Sequence, residues 1–103
     1  MRNDQERREF IDNQDNWQPV GSDATGNVRI MSLKYLGNEW QRVDVYREYE
    51  RFDYEKLGYV KEIGWVPTDT FSVNSEGIIG NTITKTQILN RIKEIDKEER
   101  AKK

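Results

Sequence analysis

Apolar residues in this chain come singly or in pairs, and their spacing changes from region to region. The densest stretch, residues 28–49, is rich in Val, Ile, Tyr and Trp and has Gly37-Asn38 near its middle. β-Branched and aromatic residues on both sides of such a pair predict a hairpin with strands over 28–36 and 40–49. Two registers compete. A two-residue loop at Gly37-Asn38 pairs Tyr35 with Trp40 and places Met31 opposite Asp44. A three-residue loop pairs Leu36 with Trp40 and gathers Met31, Leu33 and Tyr35 on one face with Val43 and Val45. Turn chemistry favours the first. A one-residue slip moves every side chain to the other face, however, and only the second register collects the aliphatics, so it is preferred.

The flanking pattern predicts further elements. Residues 4–14 read as a short helix, with Asn3 or Asp4 as cap, Glu6 as capping-box partner of Asn3, and Phe10, Ile11 and Trp17 as packing residues. Residues 18–27 carry Pro19, Gly21 and Gly26 and read as a loop. Residues 47–57 suit either a helical stripe of Tyr49, Phe52 and Leu57 or a strand continuing to Phe52. Residues 59–66 alternate as a third strand ended by Pro67, and residues 70–73 as a short fourth before a turn at 74–77. Thr84 and Gln87 form a capping box for a helix whose Ile88, Leu89, Ile92 and Ile95 share one face. Beyond Asp96 nothing apolar larger than Ala101 remains, so residues 97–103 are expected to fray, even with Glu98–Lys102 and Glu99–Lys103 as exposed pairs. The expected fold is α+β: an antiparallel sheet of three to four strands, with a short N-terminal helix and a longer C-terminal helix packed on one face.

Composition narrows the class. A chain of 103 residues suits one domain, residues 1–103. With 34% hydrophobic and 35% charged residues its core must be economical, and three Trp, five Tyr and three Phe put much buried area into few positions. The net charge is −2 and no stretch departs far from neutrality, so neither a phosphate-binding surface nor a DNA mimic is signalled. The first residues lead into charge rather than an apolar core, and apolar runs never exceed two residues. No signal peptide or membrane span is therefore expected, and the location expected is cytoplasmic.

The absence of His and Cys removes Ser-His and Cys-His nucleophiles, thiolate chemistry and most zinc sites. Gly77-Ile78-Ile79-Gly80 lacks the Lys-Ser/Thr of a phosphate loop. Asp12, Gln14, Asn16 and Asp23 have calcium-loop spacing, but Trp17 occupies the position that requires Gly. Asp44, Glu48 and Glu50 line one side of a strand, where alternating acids are commonest as a solvated face. Neither an enzyme nor a bound cofactor or metal is expected.

Recognition is the remaining function. In the preferred register the outer hairpin face shows Ile30, Leu36, Trp40, Arg42, Asp44 and Tyr46, and Trp, Tyr and Arg dominate interface hot spots. The candidate partner-binding residues are Leu36, Trp40, Arg42, Asp44 and Tyr46. If the C-terminal helix covers this face instead, Met31, Leu33, Tyr35, Val43 and Val45 form the less covered side. The reading is a non-enzymatic protein-binding module, monomeric or weakly homodimeric. It has the general character of inhibitors and adaptors encoded by phages or mobile elements. A second reading, a single-stranded nucleic-acid binder, would stack bases on strand aromatics and meet phosphates with Arg29, Lys34, Arg42 and Arg47.

Overall fold

The computed structural model describes residues 3–101. Helix α1 (Asp4–Asp12) starts at Asn3, whose side chain accepts the Glu6 backbone N–H at 2.8 Å. A 3-10 turn over Gln14–Asn16 leads into five antiparallel strands: β1 (Trp17–Ser22), β2 (Val28–Tyr35), β3 (Asn38–Asp53), β4 (Gly58–Asn74) and β5 (Gly77–Ile79). They form one sheet in chain order, each strand beside the next, and helix α2 (Lys85–Ala101) closes the fold. The Thr84–Gln87 capping box forms in both directions, Gln87 Oε1 receiving Thr84 N–H at 2.7 Å and Thr84 Oγ1 receiving Gln87 N–H at 3.3 Å.

The sheet has more strands than expected, five rather than three to four. Residues 17–22, within and beside the expected loop, form edge strand β1. Its bulge between Pro19 and Gly21 accommodates a residue with no N–H to give. Residues 47–53 continue β3 as strand. Pro67 does not end the third strand, because β4 carries one extra residue where Arg42 pairs with Thr70 and Asp44 with Pro67. The Thr68 hydroxyl donates to Val43 O at 2.8 Å across that bulge, and residues 70–73 are thus part of β4. Helix α2 is continuous to Ala101. The exposed pairs with Lys102 and Lys103 lie outside the described residues.

Both expected hairpin registers are overturned. Leu33 pairs with Trp40 and Tyr35 with Asn38, so the two-residue loop is Leu36-Gly37. Both loop residues have positive φ, 44° and 82°, as a type I′ turn requires. Holding Leu36 there costs about 1–2 kcal/mol. The register is worth more than that, because it puts Met31, Leu33 and Tyr35 on the same face as Trp40. Burying each large apolar side chain contributes about 1.5–3 kcal/mol.

That face holds the core. Met31, Leu33 and Trp40 from the sheet meet Trp17, Ile11 of α1, and Ile88, Leu89, Ile92 and Ile95 of α2. The four α2 residues recur at the helical spacing that aligns one stripe. Val43 and Val45 take the opposite, helix-free face with Ile30 and Val66, all part-buried.

Candidate functional site

Of the five residues expected to form a partner surface, the structure puts Trp40 in the hydrophobic core and joins Arg42 and Asp44 in a charged network. Trp40 is 2% exposed beneath α2, and Asp44 is 1% exposed. The Asp44 carboxylate accepts Arg42 Nε at 2.7 Å, Arg42 Nη2 at 2.9 Å and Arg29 Nε at 3.0 Å. Each guanidinium also lies over an indole, Arg42 over Trp17 at 4.6 Å and Arg29 over Trp65 at 4.3 Å. Gln14 Oε1 accepts a further Arg42 hydrogen bond at 2.9 Å. This arrangement locks the 3-10 turn and strands β1 to β4 together. Removing one partner of such a buried pair typically costs about 3–5 kcal/mol.

Leu36 and Tyr46 are exposed, 59% and 40%, but sit at different places. Leu36 is in the β2–β3 turn. Tyr46 stands where β3 leaves β2, since β2 begins at Val28 opposite Val45. From there β3 and β4 continue alone as a two-stranded arm, residues 46–53 against 58–65. The 16 residues of β3 span about 50 Å at strand rise, matching the molecule's longest dimension of 52 Å.

Each face of the arm is held by its own chemistry. The face continuous with the core carries Tyr46 edge-on to Trp65 at 5.2 Å, and Phe52 edge-on to Tyr59 at 5.4 Å. Lys61 and Glu48 lie between these pairs, 3.6 Å apart. On the other face Glu62 accepts Arg51 at 2.7 and 2.9 Å and the Tyr49 hydroxyl at 2.9 Å. Those bonds hold the Glu62 carboxyl below its usual range and raise the Tyr49 phenol above its own.

At the tip, Asp53 Oδ1 accepts the backbone N–H groups of Glu55 and Lys56, turning the chain through residues 54–57. Tyr54 packs edge-on against Phe52 at 4.9 Å yet is 82% exposed. Leu57, 79% exposed, is held at φ 50°. Tyr59 and Ile63 are also exposed, so the outer half of the arm presents large apolar side chains that the core does not use. Sequence reasoning missed this group because it left residues 47–57 undecided between helix and strand. Tyr46, Tyr49 and Phe52 recur every third residue, which does not separate strand from helix, and the Leu57-Gly58 pair was the one signal of a turn.

Other surfaces converge less. A cleft of about 520 Å³ opens between the β2–β3 and β4–β5 turns, but its Arg91 is already paired with Glu94 at 3.1 Å. Among the described residues no three acidic side chains converge as a metal site would need, and no helix is long and apolar enough to cross a membrane. No protein-family model, curated protein or solved structure matches the chain.

Proposed function

We propose that the chain is a non-enzymatic protein-binding module, an inhibitor or adaptor, that engages its partner with the outer half of the β3–β4 arm. The observation carrying this reading is Leu57: an exposed leucine in left-handed backbone, at the tip of an arm capped by Tyr54, Phe52 and Tyr59. Folding favours Asn or Gly there, and solvent favours a polar side chain. A leucine that serves neither suits contact with another molecule. Aromatic and aliphatic anchors on a projecting element are the groups that fill pockets on a partner. Trp40 and Asp44 belong to the scaffold beneath, while Tyr46 stays at the arm's base.

The test is affinity capture from the native host with the wild-type chain and with the double variant Tyr54→Ser, Leu57→Asn, whose changed side chains lie outside the core. Recovery of a protein by the wild type, with at least tenfold less by the variant, is the expected outcome. Equal recovery by a folded variant removes the tip from the reading. The nucleic-acid reading draws less support, because Arg29 and Arg42 are committed to Asp44 and only Lys34 and Arg47 of its four bases remain. A salt-sensitive gel shift with single-stranded DNA or RNA would restore it.

A further inference from the structure

The arm has two open edges that would offer a second strand different neighbours. On the β2 side, Tyr46 N–H donates to Asn27 O at 2.7 Å, so strand alternation turns the backbone groups of Glu48, Glu50 and Phe52 outward along β3. On the other side, Thr70 O accepts Ile83 N–H and β5 pairs only with residues 72–74 of β4. By the same alternation Tyr59, Lys61, Ile63 and Trp65 turn their backbone groups outward along β4. An unpaired edge of this kind is a template for another strand.

A two-fold axis normal to the sheet would set each edge against itself. On β3, an axis through Glu50 faces it with its own copy. An axis through Tyr49 faces Glu48 with Glu50 and Arg47 with Arg51. Both registers collide like charges, which protects that edge from self-pairing. On β4 the free edge runs from Tyr59 to Pro67 and is centred on Ile63, which is 66% exposed. An axis there sets Ile63 against Ile63, Val60 against Val66, Tyr59 against Pro67, and Lys61 against Trp65. Glu62 meets Gly64, so no like charges face each other. Pro67, having no N–H to offer outward, ends the ladder.

We infer that a second copy of this chain pairs antiparallel along the β4 edge of the arm, about a two-fold axis at Ile63. The dimer joins two arms into a four-stranded ribbon. This inference does not rest on the protein-binding reading: it is argued from the β4 backbone edge and tested at Ile63, whereas the capture test changes Tyr54 and Leu57.

Analytical ultracentrifugation over a concentration series tests it. The wild type is expected to dimerise reversibly, and Ile63→Lys, which opposes two ammonium groups at the axis, to raise the dissociation constant at least about tenfold. The chain has no cysteine, so Ile63→Cys and Glu50→Cys each supply a single thiol, on opposite edges. Mild oxidation should link copies of the first and not the second. A wild-type chain that stays monomeric to about 1 mM overturns the inference. So does a dimer that Ile63→Lys leaves intact, or crosslinking that favours Glu50→Cys. Circular dichroism confirms that each variant is folded.

Discussion

Leu36 and Leu57 show at single-residue scale how backbone preference and side-chain use can conflict. Both have positive φ, 44° and 50°, both are exposed, and each is followed by Gly. Asn tolerates the left-handed region far better than Leu, and Asn-Gly is the favoured pair for a two-residue hairpin turn. Leu36→Asn and Leu57→Asn should therefore each stabilise the fold by about 1 kcal/mol, seen as a higher midpoint in urea with unchanged slope. Stabilisation at both positions, with partner capture lost only for Leu57→Asn, would separate a strained turn from a used one. A destabilised Leu57→Asn would mean that the leucine supports the arm itself.

At the scale of elements, the arm and the body of the sheet are stabilised differently. Within the body, β2 and β3 carry Met31, Leu33 and Trp40 under two helices. Past the base, where Arg29 lies over Trp65 and Tyr46 N–H meets Asn27 O, the two strands of the arm rest on each other, with ring contacts on one face and the Arg51–Glu62–Tyr49 bonds on the other. A two-stranded ribbon alone is marginally stable in water. Amide exchange along the arm should alternate: Arg47, Tyr49 and Arg51 point at β4 and exchange slowly, while Glu48, Glu50 and Phe52 point outward and exchange fast. All arm amides should exchange faster than those of Met31 and Leu33. Protection as strong at the arm as in the body would show that the arm is not an independent opening unit. Selective slowing of Lys61, Ile63 and Trp65 with rising concentration would report the β4 edge closing.

For the whole molecule, the helices are tied to the sheet by a polar network as well as by the core. Asp96 of α2 accepts Arg7 Nε of α1 at 2.9 Å and the Tyr35 hydroxyl at the end of β2. Burial opposes the Asp96 charge, yet the carboxyl lies below its usual value, with the bonds from Tyr35 and Arg7 among the causes. A depressed carboxyl contributes stability that is present above its unfolded pKa, near 4, and lost as pH falls through its lower folded value. Burial, then the bond to Asp96, pushes the Tyr35 phenol up to about 12. A raised phenol contributes stability that is complete below pH 10 and lost as pH rises from about 10 to about 12. Thermal melts should therefore fall away at both extremes. Asp96→Asn should lower stability at neutral pH and flatten the acid limb. An acid limb as steep in Asp96→Asn as in the wild type would assign it to other carboxylates.

The amino-acid sequence by itself determined the local elements wherever one signal acts alone. The capped helix at residues 4–12, the capping box at Thr84 and the stripe of Ile88, Leu89, Ile92 and Ile95 are set by short-range chemistry and 3.6-residue spacing. The hairpin between residues 28 and 49 is set by β-branched and aromatic density. The lack of His and Cys likewise narrows the available chemistry without any coordinates. Tertiary structure alone decided register and face. Both sides of the hairpin carry apolar residues, Met31, Leu33 and Trp40 on one and Ile30, Val43 and Val45 on the other, so alternation is equally satisfied by slipped pairings. The choice falls to whichever face α2 buries, a contact between residues more than fifty positions apart. The same holds for Pro67, tolerated because a bulge absorbs it, and for the arm, which exists because β2 begins only at Val28 while β3 and β4 run on without it. Strand propensity shows that residues 46–53 can be extended, but not that they stand clear of every other element with their tip open.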